Sequence, residues 1–162
     1  MARTAIYQTQ SFLPRGRVLL VDSDRKDLQY YTALLWHLGY VVRPFASYQE
    51  AQRCLEREPI DIVIASQGGP AFEAHGLLEL VLARNRRTPV VVLTRCLDMG
   101  CYLEAMQLGA VDYVEKPLAV ADIEYLITTH AQPRLIETRM GSNRGFSVRQ
   151  GVLFEPPGGE FV

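Results

Sequence analysis

The sequence is poor in the features that assign a function at sight. Its three cysteines, Cys54, Cys96 and Cys101, show neither metal-site spacing nor an even-numbered disulfide framework. Reduced thiols in a reducing compartment are the plain reading, with a Cys96–Cys101 redox pair as the sharper alternative. No apolar run is longer than a strand, so no stretch is long enough to cross a bilayer as a helix. Neither sign of charge is in surplus: 17 Lys and Arg stand against 18 Asp and Glu, for a net −1. That balance lacks the electrostatic footprint of a nucleic-acid or anionic-membrane binder. The segment Met1–Arg17 carries Arg3, Arg15 and Arg17 but no apolar core of signal-peptide length. A cytoplasmic protein without direct contact to nucleic acid or membrane is expected.

What is present is a regular alternation. The 162 residues, 48% of them apolar, suit one domain with tails. The stretch Ile60-Asp61-Ile62-Val63-Ile64-Ala65-Ser66 is an almost unbroken branched run closed by Gln67-Gly68-Gly69-Pro70. Such a run reads as a strand buried on both faces of a parallel sheet, with Ser66 at its carboxyl end, where sites form. Val18–Val21 and Val90–Thr94 have the same character, and Tyr40–Phe45 and Val111–Val114 are shorter strands. Pro44 places the second strand at a sheet edge.

Helical spacing fills the gaps. Leu28, Tyr31, Leu35 and Leu38 recur at threes and fours before Gly39, after a start at Asp24 with Asp27 as its capping companion. Trp36 falls off this stripe. Ser47 and Glu50 form a capping-box pattern ahead of a second helix through Arg57. Further helices are expected over Leu77–Arg84, Asp98–Leu108 and Val120–His130, with His75 left in the preceding loop. Five strand–helix repeats predict an α/β (βα)5 fold, a right-handed, doubly wound parallel sheet of five strands with helices on both faces. Residues 1–16 read as an N-terminal tail, 17–132 as the domain and 133–162 as a linker or flexible tail. Within that last segment only Val152–Phe154 has strand character.

Several residues then carry a resemblance. Asp22 ends the first strand and Thr94 the fourth; Ala105, Gly109, Ala110, Asp112 and Tyr113 recur at a characteristic spacing; Lys116-Pro117 follows the fifth strand. Together, from about Arg17 to Ala131, the chain resembles the receiver domain of bacterial two-component response regulators, which implies a flavodoxin-like (βα)5 doubly wound sandwich with its five-stranded parallel sheet in the order 2-1-3-4-5. The resemblance implies an aspartate at the third strand's end that accepts a phosphoryl group, and acidic residues after the first strand that hold magnesium. It also implies a lysine that pairs with the acyl phosphate, a Thr or Ser on a phosphoryl oxygen, and an aromatic on the fifth strand that follows its movement. Asp22, Thr94, Tyr113 and Lys116 fill their places here. Ser23 stands at the second acidic position and Ser66 at the acceptor position.

Those two departures decide the expected chemistry. Magnesium is held through carboxylates and phosphate oxygens, and two carboxylates of the pocket are missing. A serine hydroxyl needs a neighbouring base, and His37, His75 and His130 are not placed to supply one. Arg95 follows Thr94, where a guanidinium can pair with Asp22 or cap the pocket mouth. A closed polar network of Lys116, Asp22, Ser66 and Arg95 is therefore expected, without catalysis, with magnesium binding weak or absent and with no resident cofactor. The loop from Pro70 to Gly76 is about two residues longer than the family's spacing and reads as tolerated drift.

The resemblance also implies a partner surface on the fourth helix, fifth strand and fifth helix. Met99, Tyr102, Leu103, Met106, Tyr113 and Tyr125 lie there, of residue types enriched in interfaces. The expected function is an atypical receiver: a phosphorylation-independent module for protein interaction or dimerisation in signal transduction. It would stand alone or precede an output domain beyond Val162. One alternative is a phospho-accepting regulator that uses Asp24. Another is a flavodoxin-like nucleotide or cofactor binder, against which the loop Asp22–Lys26 offers no glycine.

Overall fold

A computed structural model describes residues 14–131, together with the backbone of 147–149 and 152–154. Five strands alternate with five helices: β1 Arg17–Val21, α1 Arg25–His37, β2 Val41–Phe45, α2 Tyr48–Arg57, β3 Ile62–Ser66, α3 His75–Arg84, β4 Val90–Thr94, α4 Met99–Leu108, β5 Asp112–Glu115 and α5 Val120–His130. All five strands are parallel, in the order β2-β1-β3-β4-β5. This is the flavodoxin-like arrangement that the resemblance implied.

The side-chain period of two along each strand sorts the core into two layers. Val18, Leu20, Ile62, Ile64, Val91 and Leu93 pack with Tyr31 and Leu35 of α1 and Ile123 and Ile127 of α5. The alternate residues Leu19, Val21, Val63, Ala65, Val90 and Val92 pack with residues of α2, α3 and α4. β3 and β4 are buried at every position, which is why both read as continuous apolar runs. β2 and β5 are the edges, and Pro44 of β2 lies opposite Leu20 of β1.

Local chemistry sets the helix starts, with two departures from expectation. Asp24 accepts hydrogen bonds from the N–H groups of Lys26 and Asp27, as an N-cap should. The Asp27 carboxylate, however, takes no part in a reciprocal cap and is bound by Lys116 and Arg95. Ser47 accepts from the Glu50 N–H at 3.5 Å, so only one half of the anticipated capping box is present among the described residues. α3 begins at His75 rather than Leu77. The Leu78 N–H reaches the Ala74 carbonyl at 3.0 Å, so the first helical turn closes ahead of Gly76. Gly109 ends α4 at φ 109°, a conformation that favours glycine.

Of the segment 133–162, Ser147–Arg149 (β6) and Val152–Phe154 (β7) pair antiparallel. The expected strand at Val152–Phe154 therefore has a partner that the reading of a linker did not anticipate. The rest of that segment, and the tail before residue 14, lie outside the described residues.

Candidate functional site

The carboxyl edge of the sheet gathers the candidate residues because the strands are in register. Ser66 lies beside Leu93, Thr94 beside Glu115, and Asp22 directly follows β1. Lys116 follows β5, its N–H donating to the Thr94 carbonyl at 2.7 Å, and the Lys116–Pro117 peptide is cis. Tyr30 donates its hydroxyl proton to the Leu118 carbonyl, and the Leu118 N–H donates to the Tyr31 hydroxyl. The loop carrying Lys116 is thus tied to α1 at two points.

Lys116 is the centre of the site. Its ammonium donates to Asp22 Oδ2 at 2.5 Å, Asp27 Oδ2 at 2.9 Å and Ser66 Oγ at 3.2 Å. The Lys116 and Asp22 side chains are 5% and 3% exposed, so this is an ion pair withdrawn from water. The expected network of Lys116, Asp22 and Ser66 is present. Its fourth member is Asp27, which sequence reasoning missed. Asp27 sits one turn into α1 and had a ready explanation as a capping residue, so nothing in its spacing marked it for the pocket.

Arg95 takes the second of the two places anticipated for it, across the pocket mouth, and not the first, a pairing with Asp22. It pairs with Asp24 Oδ2 and Asp27 Oδ2, each at 2.8 Å, and makes no bond to Asp22. The longer reach to α1 is possible because its side chain is 60% exposed and lies across the mouth. The backbone N–H groups of Asp27 and Lys26 lower the Asp24 carboxyl from its usual value. For Asp27, burial alone would raise the carboxyl. Hydrogen bonds from Lys116 and Arg95 outweigh that cost and leave it lowered. Simple cancellation of Asp22 by Lys116 therefore understates the site: three carboxylates meet two cations, and each carboxylate touches at least one.

The remaining candidates are occupied or turned outward. Ser23 is exposed. The Thr94 hydroxyl donates to the Cys96 carbonyl at 2.8 Å and accepts from the Cys96 N–H at 3.2 Å, so it serves its own loop. Tyr48 donates to the Ser66 carbonyl at 2.7 Å, fixing the end of β3. Tyr113 is buried, and its hydroxyl donates to Gln67 Oε1; Gln67 is a second residue that the sequence did not single out. Met99, Tyr102, Met106 and Tyr125 are all exposed, at 70%, 40%, 37% and 67%. Cys96 is exposed while Cys101 is buried, its Sγ near the Pro70 carbonyl, and burial pushes its thiol up. His75 bridges Glu79 and Glu104, and the Glu104 carboxylate beside Nδ1 raises it.

Magnesium is the ion such a pocket would take in the resembled family, and the donors here do not fit it. Both Asp22 oxygens are engaged, Oδ2 by Lys116 and Oδ1 by the Asp24 N–H at 3.0 Å. Asp27 Oδ2 accepts from both Lys116 and Arg95. The oxygens converge on an ammonium, not on a space for a divalent ion. Among the described residues no group of three or more His, Cys, Asp and Glu side chains could hold a metal.

The lowered Asp27 gives the network a signature in acid. Its contribution to stability is present above the unfolded carboxyl value of 3.8 and is lost as pH falls through the lower folded value. Asp27→Asn is expected to flatten the acid limb of the stability–pH curve measured by urea unfolding. An unaltered limb would remove Asp27 from the network.

Comparison with known proteins agrees with the fold. The family model of the response regulator receiver domain matches residues 18–128. Among curated relatives, the rice two-component response regulator-like PRR37 is 32% identical over 114 residues, covering 68% of this chain and 15% of its own length. The response regulator FleR of Pseudomonas aeruginosa is 31% identical over 120 residues, covering 74% of this chain and 25% of its own length. The chain thus spans a quarter or less of these relatives. Among solved structures, the receiver domain of the sensor histidine kinase PA1611 from Pseudomonas aeruginosa, with a magnesium ion in its active site cleft, superposes with a TM-score of 0.64 at 26% identity, covering 71% of this chain and 96% of that one. A CheY-like receiver from Methanospirillum hungatei shares the fold, with a TM-score of 0.66 at 24% identity over 70% of this chain and 91% of that one. The chain belongs to the response regulator receiver domain family.

Proposed function

We propose that this receiver domain works without phosphorylation, as a non-enzymatic module in cytoplasmic signal transduction that acts by contact with a protein partner or a second copy of itself. The observation that carries this reading is the engagement of Lys116 by Asp22, Asp27 and Ser66. A hydroxyl stands at the acceptor position. The cation that would meet an incoming phosphoryl group is already neutralised and almost fully buried. Withdrawing it from Asp22 would leave a buried carboxylate alone, a cost of about 3–5 kcal/mol for such a broken pair.

The alternatives have less support. Asp24 as a phosphoacceptor would have to give up its cap on α1 and its pairing with Arg95. A nucleotide cradle after β1 would need free N–H groups, and those of Lys26 and Asp27 are bound by Asp24.

Contact is favoured on the face of α4, β5 and α5. Met99, Leu103, Val120 and Tyr125 are 49% or more exposed there, with Tyr102 and Met106 beside them. Such side chains in one region suit a partner surface better than scattered solvent exposure.

Acetyl phosphate with magnesium, followed by intact-mass spectrometry, should leave the chain unmodified; an added acid-labile phosphate would overturn the reading. Tyr102→Glu should weaken self-association or partner binding at least tenfold in sedimentation or pull-down titrations, an effect of about 1.4 kcal/mol or more. Unchanged association would place the contact on another face.

A further inference from the structure

Gln67 follows Ser66 at the end of β3 and is 5% exposed. Its backbone continues the sheet, the N–H donating to the Leu93 carbonyl at 2.7 Å. Its side-chain amide is engaged at both ends. Nε2 donates to the Gly69 carbonyl at 3.4 Å, and Oε1 accepts from the Tyr113 hydroxyl. A carbonyl can only accept, so the amide orientation is determined: the NH2 must face Gly69, which leaves the oxygen for Tyr113.

The loop after β3 is built to present this amide. Gly68 has φ 82°, and a Cβ there would lie 2.8 Å from Glu73 Cβ, so the chain folds back on itself where only glycine fits. Phe72, at φ 50°, is 2% exposed and anchors the loop in the core beneath α3. The Phe72 N–H also donates to the Gly69 carbonyl, and the Ala74 N–H returns to the Gln67 carbonyl at 3.3 Å. The longer segment from Pro70 to Gly76, read from the sequence as drift, helps hold the acceptor that orients Gln67, its Phe72 N–H donating to the same Gly69 carbonyl at 3.1 Å.

On its other side Tyr113 meets the partner face. Its ring is 8% exposed and packs edge-on against Tyr102 of α4, with centroids 5.7 Å apart. Thr94 makes no bond to this assembly, because its hydroxyl is spent on Cys96. We propose that Gln67 is a positioning residue that holds Tyr113 inward at all times. Tyr102 and the exposed face of α4 then keep one form whatever happens at the pocket. This rests on the reading of the pocket as closed, and it names the chain's own substitute for the event that would otherwise move the aromatic.

The test uses hydrogen exchange on the full chain. Tyr113→Phe removes one hydroxyl, and Gln67→Leu removes the amide at similar volume. Each should speed exchange of the Tyr102–Met106 amides about three- to tenfold, the equilibrium worth of one neutral hydrogen bond. The double variant should add nothing further, and α1, packed on the opposite face of the sheet, should keep its wild-type rates. Addition of magnesium and beryllofluoride to the wild type should leave α4 unchanged. If Gln67→Leu fails to fold, Tyr113→Phe decides alone. Wild-type rates on α4 in folded Tyr113→Phe, or a beryllofluoride response on α4, would overturn the inference. Acetyl-phosphate labelling of the same wild-type sample reports separately on the pocket, so failure of the latch and failure of the closed pocket are told apart.

Discussion

The ammonium of Lys116 lies almost out of water, and its two carboxylate partners come from the end of β1 and the first turn of α1. A buried charge of this kind constrains everything around it, because each partner must stay in place or leave another charge unpaired. The loop after β5, the start of α1 and the end of β3 are therefore fixed relative to one another. In this chain the ion pair is closed within the protein, and its remaining proton goes to the Ser66 hydroxyl. A site of the same shape with a carboxylate at Ser66 would have an acidic surplus to offer a divalent ion. Here the surplus is shared between Asp24 and Asp27 and is met by Arg95 at the surface.

Two consequences reach beyond the pocket. The hydroxyls around the sheet's carboxyl edge spend their hydrogen bonds inward: Thr94 on its own loop, Tyr48 on the end of β3, Tyr113 on Gln67. The exposed apolar and aromatic side chains of α4 and α5 take no part in these bonds. Tyr113 is the structural link between these regions, with Gln67 on one side of its ring and Tyr102 on the other.

Much of the architecture was legible in the sequence because burial on both faces leaves a continuous apolar run that no other element imitates at that length. β3 and β4 were recognisable for this reason, and Pro44 marked the edge. Lys116, Asp22 and Ser66 could be brought together because each ends or follows a strand, and parallel strands in register align their ends. Asp27 could not be found this way. Its place three residues after Asp24 matches a capping pattern, and only the reach of Lys116 across α1 shows which role the carboxylate takes. Arg95 was legible at the mouth, but its partners on α1 were not, since a long side chain can reach either Asp22 or α1. Gln67 gave no signal at all: its role depends on Gly69 and Tyr113, 44 residues apart in the chain, meeting at one amide.

The most direct measurement is an amide NMR titration of the domain with magnesium, following Asp22, Asp27, Ser66 and Lys116. With Lys116 held as described, these resonances should not shift in a saturable way through millimolar magnesium. Saturable shifts centred on Asp22 and Asp27 would show that a cation can displace the ammonium, and the closed pocket would have to be abandoned.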